Sequence, residues 1–222
     1  MPLVLSLETS TRVCSVALHS EMQLLGSYEV LVEKSHSKII TVLIEELLSN
    51  TGYSYADLDA IAVSKGPGSY TGLRIGVSTA KGLCYALEKP LIGINTLEAM
   101  AEGIKSKVPS DFLLCPMLDA RRMEVYTALF DNQLNFVEDT NAKVLNEESV
   151  RIYQGKKICF FGDGSFKIKS ILSNLHSSFI AEGVYPSAKN IGDLAVRAYL
   201  NGVFEDTAYF EPYYLKDFVS KV

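Results

Sequence analysis

The chain has 222 residues, 48% of them apolar and 21% charged, with a formal net charge of −5. That composition supports a sizeable core in one large or two ordinary domains, and it excludes a disordered chain or one whose overall field draws it to nucleic acid. Cys14, Cys84, Cys115 and Cys159 are scattered with no Cys-x-x-Cys pair, which implies reduced thiols rather than zinc or a disulfide framework.

The opening MPLVLSLETS has no basic leader, and Glu8 interrupts its apolar run. Nowhere do about 18 apolar residues follow one another, so the sequence predicts a cytoplasmic protein without a membrane span. Residues 3–9, 13–19 and 23–31 read as three strands joined by polar corners. Ser35 then precedes a helical pattern in which Ile39, Ile40, Leu43, Ile44, Leu47 and Leu48 recur at three- and four-residue spacing, ending near Gly52. Asp59–Ser64 reads as a short buried strand, Gly66-Pro67-Gly68 as a turn, 71–87 as a helix and Leu91–Ile94 as a strand, with another helix after Thr96.

After Pro109 the plan restarts. Strands are predicted at 112–118 and 123–130, then a turn at Asp131-Asn132, a further strand or two, and a strand at 157–161. Gly162-Asp163-Gly164 leads into a helix, and Asn190–Leu200 forms another. Three strands followed by alternating helix and strand, twice over, predict a duplicated α/β fold with a helix-flanked mixed sheet in each half. The halves are read as 1–106 and 107–222, with the C-terminal segment free to pack back on the first.

The stretch KGPGSYTGLRIG at 65–76 poses a choice between a phosphate cradle and a packing corner. It lacks both the Lys-Ser/Thr ending of a P-loop and the Gly-x-Gly-x-x-Gly spacing of a dinucleotide turn. Along the following helix Gly72, Gly76 and Ala80 fall four apart, a ridge that another backbone can approach. Each helical glycine costs roughly 1 kcal/mol relative to alanine, which close packing offsets. Periodicity alone leaves open whether that partner belongs to the same half or to another chain. His19, His36 and His176 form no visible catalytic pair, and His36 in KSHSK reads as solvated or capping. Lys105/Lys107, Arg121/Arg122, Lys156/Lys157 and Lys167/Lys169 read either as solvated surface or as phosphate contacts.

LSLETSTRVCSVAL (5–18), EKSHSKIITVLIEELL (33–48), IAVSKGPGSYTGLRIGVSTAKGLCYAL (61–87), PLIGINTLEAMA (90–101) and DARRMEVYTALF (119–130) together resemble the TsaB, or YeaZ, family. The last part of the chain matches only through Gly162-Asp163-Gly164 and Pro212-Tyr213-Tyr214-Leu215. The resemblance implies an actin-like, sugar-kinase and Hsp70-type (ASKHA) fold of two similar lobes. It also implies a non-catalytic, dimerising subunit of the machinery that makes N6-threonylcarbamoyladenosine (t6A) in tRNA. The implied partners are a TsaD-like catalytic subunit, a TsaE-like ATPase, a second copy of the chain when alone, and tRNA through the complex.

TsaD-like proteins carry a metal-binding His-x-x-x-His pair, and the matching positions here hold Thr96 and Met100, with Glu98 between them. A hydroxyl and a thioether are poor ligands for such an ion, so no metal and no catalytic residue is expected. The fold's phosphate hairpins correspond to Glu8-Thr9-Ser10-Thr11, with Glu where the family usually has Asp, and to Asp119-Ala120-Arg121-Arg122, which lacks glycine. Gly162 and Gly164 stand where a competent relative has its adenosine-side turn, or form an ordinary strand-to-helix turn. The resemblance therefore implies a degenerate nucleotide site at Glu8, Ser10, Thr11, Asp119, Gly162 and Gly164. No cofactor is expected on the isolated chain, with ATP and Mg held by the partner subunits. It further implies a helical partner interface at Leu43, Leu47, Gly72, Arg74, Gly76, Ala80 and Lys81. The alternatives are an independent ATPase or small-molecule kinase on the same fold and, more remotely, a metallopeptidase-like protein.

Overall fold

The period-two apolar pattern at the start of the chain becomes a β-meander: β1 (Leu3–Glu8), β2 (Val13–Ser20) and β3 (Gln23–Leu31). It belongs to a computed structural model that describes residues 1–31, 36–169 and 177–216. Helix α1 (His36–Thr51) follows, then β4 (Ala60–Gly66), α2 (Tyr70–Leu87) and β5 (Leu91–Asn95). The expected cap at Ser35 lies outside the described residues. The strands form one sheet in the order β3-β2-β1-β4-β5, antiparallel through the meander and parallel from β1 to β5.

Register gives this sheet two unlike faces. Leu3, Leu5, Leu7, Cys14, Val16, Leu18, Ile61 and Val63 share one core with Ile40, Leu43, Ile44, Leu47 and Leu48 of α1 and Val77, Ala80 and Cys84 of α2. Alternation puts Val4, Ser6, Glu8, Ser15, Ala17, His19, Ala60, Ala62 and Ser64 on the other face. Helix α5 (Ala188–Leu200) covers that face, where Ala188 N donates to Ser15 Oγ at 2.9 Å.

After α3 (Thr96–Ile104) the plan repeats with β6 (Leu113–Asp119), β7 (Glu124–Phe130), β8 (Phe136–Val144), β9 (Ile158–Phe161) and β10 (Phe179–Ala181). Their order, β10-β9-β6-β7-β8, reproduces the first sheet strand for strand. Cys115, Met117, Val125, Leu129, Ile158 and Phe160 form its core with Leu145, Val150 and Tyr153. Two compact units result, one of Met1–Ala99 with Pro186–Tyr214, the other of Met100–Tyr185 with Leu215 and Lys216.

Three details differ from the sequence pattern. Helix α4 (Glu147–Arg151) stands where a strand was an option, because Asn146 caps it by accepting from Ser149 N at 2.7 Å and two glutamates open its first turn. Strand β10 has three residues, too few to show a period. After Gly164, where a helix is expected, the described chain forms a 3-10 turn, Ser165–Ile168, and residues 170–176 lie outside the described residues. No described helix is long and apolar enough to cross a membrane.

Candidate functional site

The duplicated topology sets two equivalent corners at the ends of β1 and β6, where the sequence places its phosphate candidates. At the first, β1 ends in Glu8, whose side chain is fully buried. One carboxylate oxygen accepts from Ser10 N and from Ser64 Oγ at 3.0 Å, while the other has no partner. Burial holds the Glu8 pKa above its usual range, only partly countered by hydrogen bonds from Ser10 and Ser64. Ser10 is 1% exposed, its carbonyl accepts from Ser69 N at 2.6 Å, and Thr11 Oγ1 accepts from Val13 N at 3.2 Å. Glu8 and Ser10 are thus sealed inside and Thr11 is half-buried; Ser10 N and Thr11 Oγ1 help to hold the turn, while among the described residues Ser10 Oγ has no partner.

What seals the corner is α2. Thr9 Oγ1 donates to Gly72 O at 2.8 Å, and a Cβ at Gly72 or Gly76 would fall on Thr9 far inside contact distance. A Cβ at Gly68 would likewise strike Ser10. These three glycines make room for one hairpin of the same unit. Gly72, Gly76 and Ala80 are buried, as are Leu43 and Leu47, which are 8% and 2% exposed in the core. In the single chain all five residues therefore pack inward.

Lys81 is also committed internally. Its Nζ donates at 3.0 Å to the carbonyls of Ala208 and Phe210, in a strap that hydrogen-bonds the edge of β5 through Glu205 N to Leu91 O at 2.9 Å and fills the core with Phe210. Arg74 is exposed and donates to Tyr70 Oη at 2.7 Å. Tyr70, Arg74, Lys81 and Tyr214 line a groove of about 350 Å³ between α2 and the strap. On the outer surface of α2, Ser78, Gly82 and Ala86 are all exposed at four-residue spacing, and nothing lies within 4 Å of a Cβ at Gly82. Tyr85 beside them is 86% exposed, and Val42 of α1 48%. Spacing alone does not separate an inner ridge from an outer one, so this second stripe is not visible in the sequence.

The second corner is open. Asp119 is exposed and its carboxylate is already engaged, by Arg121 N at 2.6 Å and Lys167 Nζ at 2.8 Å, while Asp119 N donates to Asp163 at 2.9 Å. Arg121 and Arg122 occupy the hairpin tip at φ of 69° and 47°, left-handed backbone that non-glycine residues adopt at a cost of order 1 kcal/mol. Both are exposed. Gly162 and Gly164 serve β6: a Cβ on either would collide with the backbone of Met117 or Leu118, and Gly164 N donates to Met117 O at 2.9 Å. Close backbone packing against β6 calls for glycine at both positions.

Thr96 and Met100 are fully buried, and Thr96 Oγ1 lacks a partner. His36 is 8% exposed with Nε2 3.3 Å from Val13 O, which replaces the solvated reading by a buried contact. His176 lies outside the described residues. His19 is buried against Gly192, 3.7 Å from Asp193, and burial lowers its pKa to about 4.

Comparison with known proteins supplies the context. The family model described as TsaD, tRNA N6-adenosine threonylcarbamoyltransferase, matches residues 24–217. The Escherichia coli (strain K12) tRNA threonylcarbamoyladenosine biosynthesis protein TsaB is 30% identical over 98% of this chain and 96% of its own length. A solved Pseudomonas aeruginosa protein, described as similar to the peptidase YeaZ, superposes with a TM-score of 0.84 at 23% identity, over 97% of this chain and 100% of that one. An Arthrobacter inorganic polyphosphate/ATP-glucomannokinase superposes at 0.52 with 11% identity, over 90% of this chain and 100% of its own. The fold is therefore of the actin-like and sugar-kinase type.

Proposed function

The chain belongs to the TsaB family of tRNA threonylcarbamoyladenosine biosynthesis proteins, and from that premise we propose that it serves t6A synthesis as a non-catalytic subunit that docks on and activates a TsaD-like catalytic subunit. In this reading a TsaE-like ATPase joins the pair, ATP and Mg reside on the partners, tRNA meets the complex, and a second copy of the chain takes the partner's place when it is alone.

The observation that supports it is the outer face of α1 and α2. Helical glycine costs roughly 1 kcal/mol, and Gly72 and Gly76 repay that through contact with Thr9. Gly82 has no internal reason, since its Cβ position is empty. Together with Ser78 and Ala86 it leaves a bare strip on which another helix can lie close, and Tyr85 of α2 and Val42 of α1 are exposed apolar groups on the same two helices. Arg74, Tyr85 and Val42 are the proposed contacts, and Gly72 and Gly76 hold α2 against its own sheet.

Co-elution of the chain with its TsaD-like partner at low salt tests the reading. Wild type and Gly82→Ala should form the complex, and Gly82→Arg should weaken it at least about tenfold while the isolated chain stays folded, because the added side chain meets nothing in its own chain. Failure of the folded wild type to co-elute would overturn the proposal. Micromolar Mg-ATP affinity with turnover by the isolated chain would instead favour the kinase alternative.

A further inference from the structure

We propose that the Arg121-Arg122 hairpin tip is a direct contact for the phosphodiester backbone of RNA. That RNA is the ligand rests on the proposed function; that an anion is the ligand rests on the corner itself. Arg121 and Arg122 are exposed and, among the described residues, neither guanidinium has a hydrogen-bond or ion-pair partner. The neighbouring acids are taken: Asp119 by Lys167, and Glu124 by Lys216. In each of the other basic clusters at least one lysine is neutralised, Lys105 by Glu102, Lys157 by Asp111 and Lys169 by Glu182. At 121–122 both charges remain uncompensated, on a chain whose net charge is −5.

The backbone sharpens the point. Two consecutive arginines stand in left-handed conformation, where glycine would fit without strain, and among the described residues no hydrogen bond or ion pair of their side chains offsets it. The turn is braced from below by Asp119 accepting from Arg121 N and by Ala120 N donating to Glu124 O at 3.1 Å, so the arginines are displayed from a fixed base. Guanidinium groups match phosphate oxygens in a two-pronged geometry. A hairpin tip presents side chains without enclosing a ligand, which suits a phosphate on a polymer and not a free nucleotide that needs a pocket.

The test titrates a fluorescent tRNA transcript with the complex of this chain and its TsaD-like partner, and separately with the isolated chain, at low and at physiological salt. Replacing both arginines (R121A/R122A) should weaken binding about tenfold at low salt and reduce the slope of log affinity against log salt by about two. R121K/R122K should retain most of the slope. R121G/R122G should bind as poorly as the alanine variant while melting no lower than wild type, a combination that a purely structural turn does not produce. Co-elution with the partner should be unchanged in every variant. Wild-type affinity and slope in R121A/R122A, no binding of RNA by the wild type in either form, or release of the RNA by millimolar ATP would overturn the inference. Loss of co-elution in the alanine variant would also overturn it, by assigning the arginines to the subunit contact. Failure of the wild type to join its partner tells against the proposed function alone, since the isolated-chain titration still tests the arginines.

Discussion

One corner of this duplicated fold is packed shut and its counterpart is open, although both follow the first strand of an equivalent sheet. At Glu8–Arg12 three glycines of α2 and the preceding turn yield space to Thr9 and Ser10, so a carboxylate ends up buried. At Asp119–Glu124 the hairpin tip stays in solvent, with its carboxylates neutralised by lysines and its arginines unpaired among the described residues. Topology places a corner; the side chains packed behind it decide whether it closes the structure or meets a ligand.

The hardest blow to this contrast is Gly72→Ala. The new methyl falls on the Thr9 carbonyl, backbone that cannot swing aside, so unfolding in urea should show a loss of about 3 kcal/mol, with Gly82→Ala on the outer face neutral or slightly stabilising. If both substitutions cost the same, the glycines are not holding the first corner shut.

A middle-sized effect lies in the pH dependence. Glu8 has its pKa raised above the ordinary 4.5 by burial, so the folded chain binds this proton more tightly than the unfolded one. Its stabilising contribution is complete below about pH 4.5 and is lost as pH rises through the folded value. His19 acts oppositely, since burial lowers its pKa from 6.5 to about 4, and stability falls as pH drops through that interval. Above pH 4.5 the two therefore oppose each other in urea midpoints, Glu8 lowering stability as pH rises and His19 raising it up to about pH 6.5. Glu8→Gln should remove the part that falls as pH rises above 4.5 and leave the His19 loss between pH 6.5 and about 4 in place; a pH dependence identical to wild type would show that Glu8 is not a buried acid that titrates on unfolding.

The smallest effect belongs to the open corner. Asp119→Ala removes the acceptor for Arg121 N and the ion pair with Lys167 at an exposed site, and should cost about 1 kcal/mol or less. A loss as large as that of Gly72→Ala would mean that the second corner is structural too.

Most of the fold was legible in the chain. The alternation in LVLSLE and VCSVALHS placed the strands, the spacing of Ile40, Leu43, Ile44, Leu47 and Leu48 placed α1, and the repeated order of elements announced two like sheets. Local patterns carry this information because strand and helix periods are properties of neighbouring residues. The role of each candidate was less legible. Gly72 and Gly76 advertised a close approach, but the approaching group, Thr9, lies more than sixty residues away.

By itself, then, the sequence determined the elements, their duplication, the family resemblance and the existence of a bare helical ridge. Only the tertiary structure decided that this ridge is filled from within, that Gly82 is left facing outward, and that Arg121 and Arg122 stand exposed at a tip, unpaired among the described residues. The physical reason is that periodicity gives a residue its side of an element, whereas the occupant of that side comes from contacts between segments far apart in the chain.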